Sequence, residues 1–156
     1  MNHFSRLLVA SCLSVSAAAF AAGDVSEYGG PSADPVLASA QAAIAKKDWP
    51  AAQAGLQKAL TGSPQNADYH NLYAYSIRKG ANPDMALVFK HYGEALRINP
   101  KHRGAHEYVG EAYLMVNDLP KAKQHLAALD KLCFLRCEEH TDLKKAIAAY
   151  EAKRKP

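Results

Sequence analysis

From residue 35 onward, apolar residues recur at the spacing of one face of an α-helix. In three segments the apolar positions are separated by four residues and then by three. This spacing keeps side chains on one stripe of a helix. The stripes are Ala52, Leu56 and Ala59; Val88, Tyr92 and Ala95; and Ala122, Leu126 and Leu129. Because alternating β-branched residues are absent while Ala, Leu, Lys, Gln and Glu dominate, we expect an all-α chain.

The three segments recur at a nearly constant interval. Five residues after each stripe stand Pro64, Pro100 and Phe134, which are 36 and 34 residues apart, and a further helical stretch precedes each segment. A two-residue insertion near residues 80–83 accounts for the longer interval. A helix, a turn and a second helix repeated about every 34 residues resemble the tetratricopeptide repeat.

This resemblance covers roughly residues 33–136 and is closest in the third unit. There Val109, Gly110 and Tyr113 match the first helix of the motif, and His106 stands where the family prefers Trp. The resemblance implies an all-α, helical-hairpin repeat solenoid of three tetratricopeptide-like units plus a C-terminal capping helix, seven helices in all. We expect the closest contact between paired helices at Gly110, because a small residue lets them approach.

The capping helix is predicted over residues 141–153. Thr141 is a favourable N-cap, and Leu143, Ile147 and Tyr150 follow on one stripe of the helix. A stack of helix pairs ends in an exposed apolar face, and this stripe would cover it.

The amino terminus is predicted to be a secretory signal peptide of residues 1–21. An apolar run of 14 residues begins at Leu7, and small residues flank Phe20 in an A-x-A pattern that places the cut after Ala21. This run is too short to span a membrane, which takes about 20 residues. A lipoprotein signal is the alternative, because Cys12 lies in a lipobox-like sequence.

The signal peptide predicts a periplasmic or secreted protein without stable membrane insertion. Residues 22–34 are rich in Gly, Ser and Ala and are predicted to be a flexible leader, followed by the helical repeat domain of residues 35–153. The net charge of +4 is too small to indicate nucleic-acid binding. We expect a monomer.

Cys133 and Cys137 are predicted to form a local disulfide. A spacing of four residues at a helix end places the two Cα atoms about 6 Å apart, and disulfides persist in exported proteins. A metal site that adds His140 and a thiol oxidoreductase are the alternatives. A haem anchor is excluded, because Glu138 rather than histidine follows the second cysteine.

No enzyme motif stands out in the sequence. It has no nucleophile motif, phosphate-binding loop or H-E-x-x-H zinc motif, so we expect a non-enzyme without a cofactor. His70 and His106 both occupy the Trp position of the repeat, and His102 lies one helical turn before His106. Packing between helices is the expected role of these histidines, and metal binding is the alternative. We predict no metal ligands.

The resemblance implies a concave groove lined by the first helix of each unit. The residues at its lining positions are Leu37, Gln41, Asn71, Tyr75, Glu107 and Glu111. Family members that grip a C-terminal carboxylate have cations at such positions, whereas this chain has two acids. The predicted ligand is therefore a polypeptide segment with Lys or Arg, with Tyr75 as apolar anchor and the two glutamates selecting charge.

The predicted function is a non-enzymatic scaffold for protein–protein interaction. The alternatives are a metal- or thiol-handling accessory protein that uses Cys133, Cys137 and the histidines, and an envelope assembly factor.

Overall fold

Seven α-helices make up the regular structure of the described chain. The computed structural model describes residues 33–135 and 137–154, and these residues contain no strand. The helices are α1 (Pro35–Ala45), α2 (Trp49–Gly62), α3 (Ala67–Arg78), α4 (Met85–Ile98), α5 (Arg103–Met115), α6 (Leu119–Leu132) and α7 (Glu138–Ala152). The prediction of an all-α fold is confirmed. The predicted signal peptide and residues 22–32 of the predicted leader lie outside the described residues.

Polar caps fix where the first six helices begin. In each of them the side chain before the first helical residue accepts a hydrogen bond from a backbone N–H of the first turn, which would otherwise lack a partner. These caps are Asp34, Asp48, Asn66, Asp84, His102 and Asp118. Asp34, assigned to the leader by its sequence, thus belongs to the start of α1, where it also accepts a hydrogen bond from the Tyr69 hydroxyl at 2.8 Å.

Two helix connections share one backbone form. Lys47 between α1 and α2 and Asn117 between α5 and α6 have positive φ angles of 57° and 63°. In each case the following aspartate, Asp48 or Asp118, donates its backbone N–H to a carbonyl in the preceding helix and caps the next one. Only a few per cent of non-glycine residues have positive φ, so a common turn design accounts better for both than chance does.

The helices pack in sequential pairs. Helix α1 contacts α2, α3 contacts α4, and α5 contacts α6, while the second helix of each pair also contacts the helix that follows. The first helices of neighbouring pairs contact one another as well, and α7 packs on both α5 and α6. The odd-numbered helices α1, α3, α5 and α7 are therefore neighbours along one side of the molecule.

Helix α7 begins earlier than the sequence suggested. Its N-cap is Cys137 and its first turn carries Glu138 and Glu139, whose charges favour a helix N-terminus. Thr141 lies inside the helix and donates its hydroxyl to the carbonyl of Cys137 at 3.1 Å, so the prediction of Thr141 as N-cap is wrong. Leu143 and Ile147 are buried, as the stripe predicted.

The closest helix approach at Gly110 involves α7 rather than α6. A Cβ atom placed on Gly110 would lie 2.6 Å from Cδ2 of Leu143, which is fully buried. The small residue is required as expected, but the neighbour that requires it is α7. The contact therefore fixes how α7 stands beside α5.

Candidate functional site

A cleft of about 580 Å³ lies along the side formed by the odd-numbered helices. We call it the acidic cleft. All of its lining residues come from α1, α3, α5, α7 or the caps of α5 and α7: Leu37, Gln41, Asp68, Asn71, Leu72, His102, Arg103, Gly104, Glu107, Tyr108, Cys137, Glu138, Glu139 and Asp142. Four of the six residues predicted to line a groove, Leu37, Gln41, Asn71 and Glu107, are therefore brought together here.

Carboxylates dominate the charge of the acidic cleft. Its acids are Asp68, Glu107, Glu138, Glu139 and Asp142, whereas Arg103 is its one permanently charged cation. Arg103 Nε lies 3.4 Å from Glu139 Oε1 at the start of α7. Because the whole chain has a net charge of +4, the negative character of the cleft is local. A ligand with positive charge is electrostatically favoured there.

His102 and Asp68 join α5 to α3 at the edge of the cleft. The Nδ1 atom of His102 accepts the backbone N–H of Ala105 at 3.2 Å, so the proton of a neutral ring is on Nε2. Nε2 lies 3.1 Å from Oδ1 of Asp68. This is a close contact rather than an aligned hydrogen bond, since Nε2 has no partner of hydrogen-bond geometry in the described chain. The contact holds the pKa of Asp68 below its ordinary value.

Asn71 contributes an unusual acceptor to the cleft wall. The residue is only 3% exposed, and its Oδ1 atom has no hydrogen-bond partner within residues 33–135 and 137–154. Buried polar atoms without partners are rare in folded proteins and cost stability. Because Oδ1 is shielded from solvent, Asn71 is a buried amide with one unpartnered oxygen behind the wall of the cleft.

The remaining two predicted groove residues, Tyr75 and Glu111, lie elsewhere. Tyr75 is 2% exposed, and the Arg78 guanidinium stands over its ring at 5.3 Å from the centroid. Arg78 Nη1 pairs with Oε2 of Glu111 at 2.8 Å, and Arg78 Nε donates to the Tyr92 hydroxyl at 3.3 Å. The Arg78 guanidinium also lies over the ring of Tyr108, at 5.6 Å from its centroid. We call these five residues the Arg78 cluster.

The electrostatics of the Arg78 cluster favour a permanent charge on Arg78. Burial opposes that charge, but the interactions with Tyr92 and Glu111 outweigh burial and hold the pKa of Arg78 above its ordinary value. Burial likewise raises the pKa of the Tyr92 hydroxyl, which remains a neutral hydrogen-bonding group. Glu111 is thus occupied by an internal cation rather than presented to a partner.

Two histidine pairs occupy equivalent positions in the second and third helix pairs. His70 and His91 approach with their Nδ1 atoms 2.8 Å apart, and His106 and His125 do so at 3.0 Å. In each pair the first histidine also contacts a proline carbonyl through Nε2 at 3.0 Å, that of Pro64 or Pro100. Burial and the partner histidine lower the pKa of both His91 and His125 to about 4.

Cys133 and Cys137 lie at disulfide-bonding distance, with their Cα atoms 5.7 Å apart. The predicted spacing of the pair is confirmed. His140 does not join them but contacts Oδ1 of Asp130 through Nε2 at 2.7 Å. Within the described ranges, no group of three or more His, Cys, Asp or Glu side chains is placed to hold a metal ion. None of the described helices is both long enough and apolar enough to cross a membrane.

Sequence analysis missed Arg78 and the acids of α7. Arg78 ends a helix in which every residue from Tyr69 onward is buried, and an arginine within such a stretch signals an internal partner. Glu138 and Glu139 were assigned to the turn before the cap, so they were not considered as groove residues. An earlier start for α7 would have revealed them.

Comparisons with protein-family models and with curated protein sequences give no match for this chain.

Proposed function

We propose that this protein is a non-enzymatic scaffold for protein–protein interaction that binds a basic polypeptide segment in the acidic cleft. The observation that carries the proposal is the lining of that cleft, which comes entirely from the odd-numbered helices and their caps and holds five carboxylates. A groove formed by the first helix of each pair is the arrangement expected of a tetratricopeptide-like solenoid.

Several features support the repeat architecture in this proposal. The sequential helix pairing, the matching turns at Lys47 and Asn117 and the two equivalent histidine pairs all recur along the chain. The signal-like amino terminus and the cysteine pair at disulfide distance support export to the periplasm or beyond.

The roles of individual residues differ from those suggested by the sequence. Tyr75 is buried, so Leu37, which is partly exposed on α1, takes the role of apolar contact for the segment. Glu138 and Glu139 on α7 select its positive charge in place of Glu111. The cation beside Glu139, Arg103, is half exposed, whereas Arg78, which pairs with Glu111, is buried. Exposed acids of this kind contribute modestly to affinity and strongly to the rate and selectivity of association.

A peptide-binding experiment tests the proposal. A library of short peptides that differ in net charge would be measured against the wild type and against Glu138→Gln with Glu139→Gln. We expect basic peptides to bind preferentially and to associate more slowly with the double variant, the difference shrinking as salt is added. Glu94→Gln with Glu151→Gln is the control, because it removes the same charge outside the acidic cleft. Equal association with both double variants would refute the proposal.

A further inference from the structure

We infer that Cys133 and Cys137 form an exchange site for a thiol, in which an incoming thiolate bonds to the sulfur of Cys133 and displaces Cys137 as a thiolate. This inference goes beyond the proposed function, because it assigns a chemical reaction to a pair whose predicted role is structural. The direction of the reaction follows from the helix end that each cysteine occupies.

The two cysteines occupy opposite ends of two consecutive helices. Cys133 is the C-cap of α6, and Cys137 is the N-cap of α7. A helix carries a partial positive charge at its N-terminus and a partial negative charge at its C-terminus, so an anion is favoured at Cys137 and disfavoured at Cys133. Thiols at helix N-termini ionise more readily for this reason. Since the sulfur that forms the better anion leaves faster, exchange should release Cys137.

The start of α7 lacks the side-chain cap that the first six helices have. In α1 to α6 the N-cap side chain accepts a hydrogen bond from a backbone N–H of the first turn, whereas within the described residues the Cys137 side chain accepts none. A neutral sulfur is a weak acceptor, but a thiolate at the same position can accept these N–H groups as an aspartate cap does. Release of Cys137 therefore supplies the acceptor that the first turn of α7 is missing.

The carboxylates of α7 oppose a thiolate at Cys137, and two of those near its start have cationic neighbours. Oε1 of Glu139 lies 3.4 Å from Nε of Arg103, and Oδ1 of Asp142 lies 2.8 Å from Nζ of Lys145. Glu138 directly follows Cys137 and is the acid that most weakens the effect of the helix end. The other charged residues of the neighbouring helix ends are Asp130, Lys131 and His140, of which His140 contacts Asp130 at 2.7 Å.

The cysteine pair can be reached from solvent. Cys137 lines the acidic cleft, and both cysteines are partly exposed. Between them, Phe134 is fully exposed and Leu135 is 80% exposed. Because these two side chains bury little surface, the cysteines can separate after exchange without loss of core packing.

The exchange conserves atoms and electrons. The incoming thiolate forms a new disulfide bond with Sγ of Cys133, the bond between Cys133 and Cys137 breaks, and its electron pair goes to Sγ of Cys137. The incoming thiol is oxidised, its proton passes to water, and the sulfur of Cys137 is reduced. Attack of Cys137 on the mixed disulfide reverses the reaction. The ligand is therefore a thiol, carried by a small molecule or by a cysteine of a polypeptide.

The first experiment determines which sulfur is attacked. The full chain with its disulfide formed is mixed with N-acetylcysteine amide, a neutral thiol; free thiols are then alkylated rapidly, and mass spectrometry locates the mixed disulfide. We expect about threefold more mixed disulfide on Cys133 than on Cys137, the rate effect of a roughly tenfold difference in acidity. The oxidised peptide acetyl-Cys-Phe-Leu-Arg-Cys-amide is the control, because it has the same ring without the helices. The same distribution in the chain and in this peptide would overturn the inference.

Single-cysteine variants test the physical cause. Cys133→Ser leaves Cys137, and Cys137→Ser leaves Cys133; alkylation by iodoacetamide is followed across about pH 5 to 10, where thiols ionise. We expect Cys137 to reach half its maximal rate at a lower pH than Cys133, and Glu138→Gln to move this midpoint lower still. Urea removes the helix ends and should bring the midpoints together. Coinciding midpoints in variants that circular dichroism shows to be folded would refute the role of the helix ends, and the first experiment does not depend on these variants.

Two charged peptides distinguish the sources of the thiol. Acetyl-Lys-Cys-Lys-amide and acetyl-Glu-Cys-Glu-amide are compared at low salt, each rate being divided by the thiolate fraction of the peptide. We expect the basic peptide to react about threefold faster, the difference shrinking as salt is added, because Cys137 lines the acidic cleft. Equal rates with attack at Cys133 would keep the exchange site and overturn its supply by a basic segment. Absence of attack at Cys133 by any of the thiols would overturn this inference and leave the binding of basic segments intact.

Discussion

The residues predicted to line a single groove lie in two different environments, the acidic cleft and the Arg78 cluster. Asn71 and Tyr75 are four residues apart on α3, as Glu107 and Glu111 are on α5, so each pair lies on one helix face. Yet Asn71 and Glu107 line the cleft, whereas Tyr75 and Glu111 contact Arg78. Helix periodicity therefore predicts the direction of a side chain but not whether another part of the chain already occupies the space in front of it.

The difference follows from a single internal cation. Arg78 supplies the ring contacts to Tyr75 and Tyr108 and the ion pair to Glu111, which are contacts that a basic partner would otherwise make. At the cleft the corresponding acceptor, Asn71 Oδ1, has no partner in the described chain. Tyr75 and Glu111 are thus in contact with Arg78, whereas Leu37, Gln41, Asn71 and Glu107 line the acidic cleft.

Removing the guanidinium should have the largest effect. Arg78→Met takes away the partner of Glu111 and the donor to the fully buried Tyr92 hydroxyl. We expect the free energy of unfolding to fall by roughly 3 kcal/mol, because a partly buried carboxylate is left without its cation. Urea denaturation followed by circular dichroism measures this loss.

Lys79→Met is the matched control for Arg78→Met. The Lys79 ammonium also lies near the Tyr75 ring, at 5.4 Å from its centroid, but the residue is exposed. We expect its loss to cost less than about 1 kcal/mol. Adding Glu111→Gln to Arg78→Met should recover part of the stability. If the two single variants were equally stable, the Arg78 cluster would not be a distinct buried network.

A larger side chain at Gly110 should disrupt the packing of α7, the helix that brings Glu138 and Glu139 to the cleft. Gly110→Leu should lower the free energy of unfolding by about 1–3 kcal/mol or more, because the new side chain overlaps the buried Leu143. Gly93→Leu is the control: it lies on a helix with no atom within 4 Å of a Cβ and should be neutral or slightly stabilising. Equal melting temperatures for the two variants would contradict the α5–α7 contact.

The cysteine pair lies at the same edge of the cleft, where α7 begins, and allows a further test of this region. Cys133 and Cys137 close a short ring at the start of α7, and Cys137 lines the acidic cleft. Replacing both with serine should cost about 2 kcal/mol by the loop-entropy estimate and should affect stability more than binding. Intact mass with and without reductant should differ by two hydrogens, and two free thiols in freshly isolated protein would disprove the bond.

Helix periodicity predicted most of the fold because it encodes burial directly. Ala52, Leu56, Val88, Tyr92 and Ala122 are all buried, as their stripes required. Helix starts were less predictable, because a cap depends on which backbone conformation precedes the helix. At α7 that conformation belongs to Cys137, whose extended backbone starts the helix before Thr141.

The candidate site was only half predictable, because it depends on contacts between distant residues. Leu37, Gln41, Asn71 and Glu107 could be assigned to the groove from repeat positions alone. The burial of Tyr75 depends on Arg78, and the pairing of Glu111 joins residues 33 positions apart. The sequence contains both partners but does not show that their side chains meet.

The histidine pairs, like the Arg78 cluster, make their polar contacts within the chain, and they predict how stability depends on pH. The pKa of His91 and that of His125 are lowered to about 4 in the folded chain, so between that value and the ordinary pKa near 6.5 the unfolded chain binds more protons. Stability should therefore fall as pH decreases from about 7 and level off near pH 4 for these groups. Denaturation between pH 5 and 7, where most carboxylates stay ionised, measures the slope, and His91→Asn should reduce it.

The smallest stability change is expected at Asn71, and it sharpens the comparison most. Leucine has a similar shape and no polar atoms, so Asn71→Leu removes an unpartnered buried acceptor without breaking a hydrogen bond of Oδ1. Such replacements are nearly neutral or slightly stabilising, and we expect a change within about 0.5 kcal/mol. Ser76→Ala is the contrasting variant, because the buried Ser76 hydroxyl donates to the Tyr73 carbonyl at 2.8 Å and its loss should cost about 1 kcal/mol. Thermal denaturation of both variants decides the matter: a loss at Asn71 as large as that at Ser76 would mean that the Asn71 amide makes contacts that stabilise the fold, whereas unchanged stability would mean that the unpartnered oxygen contributes nothing to it.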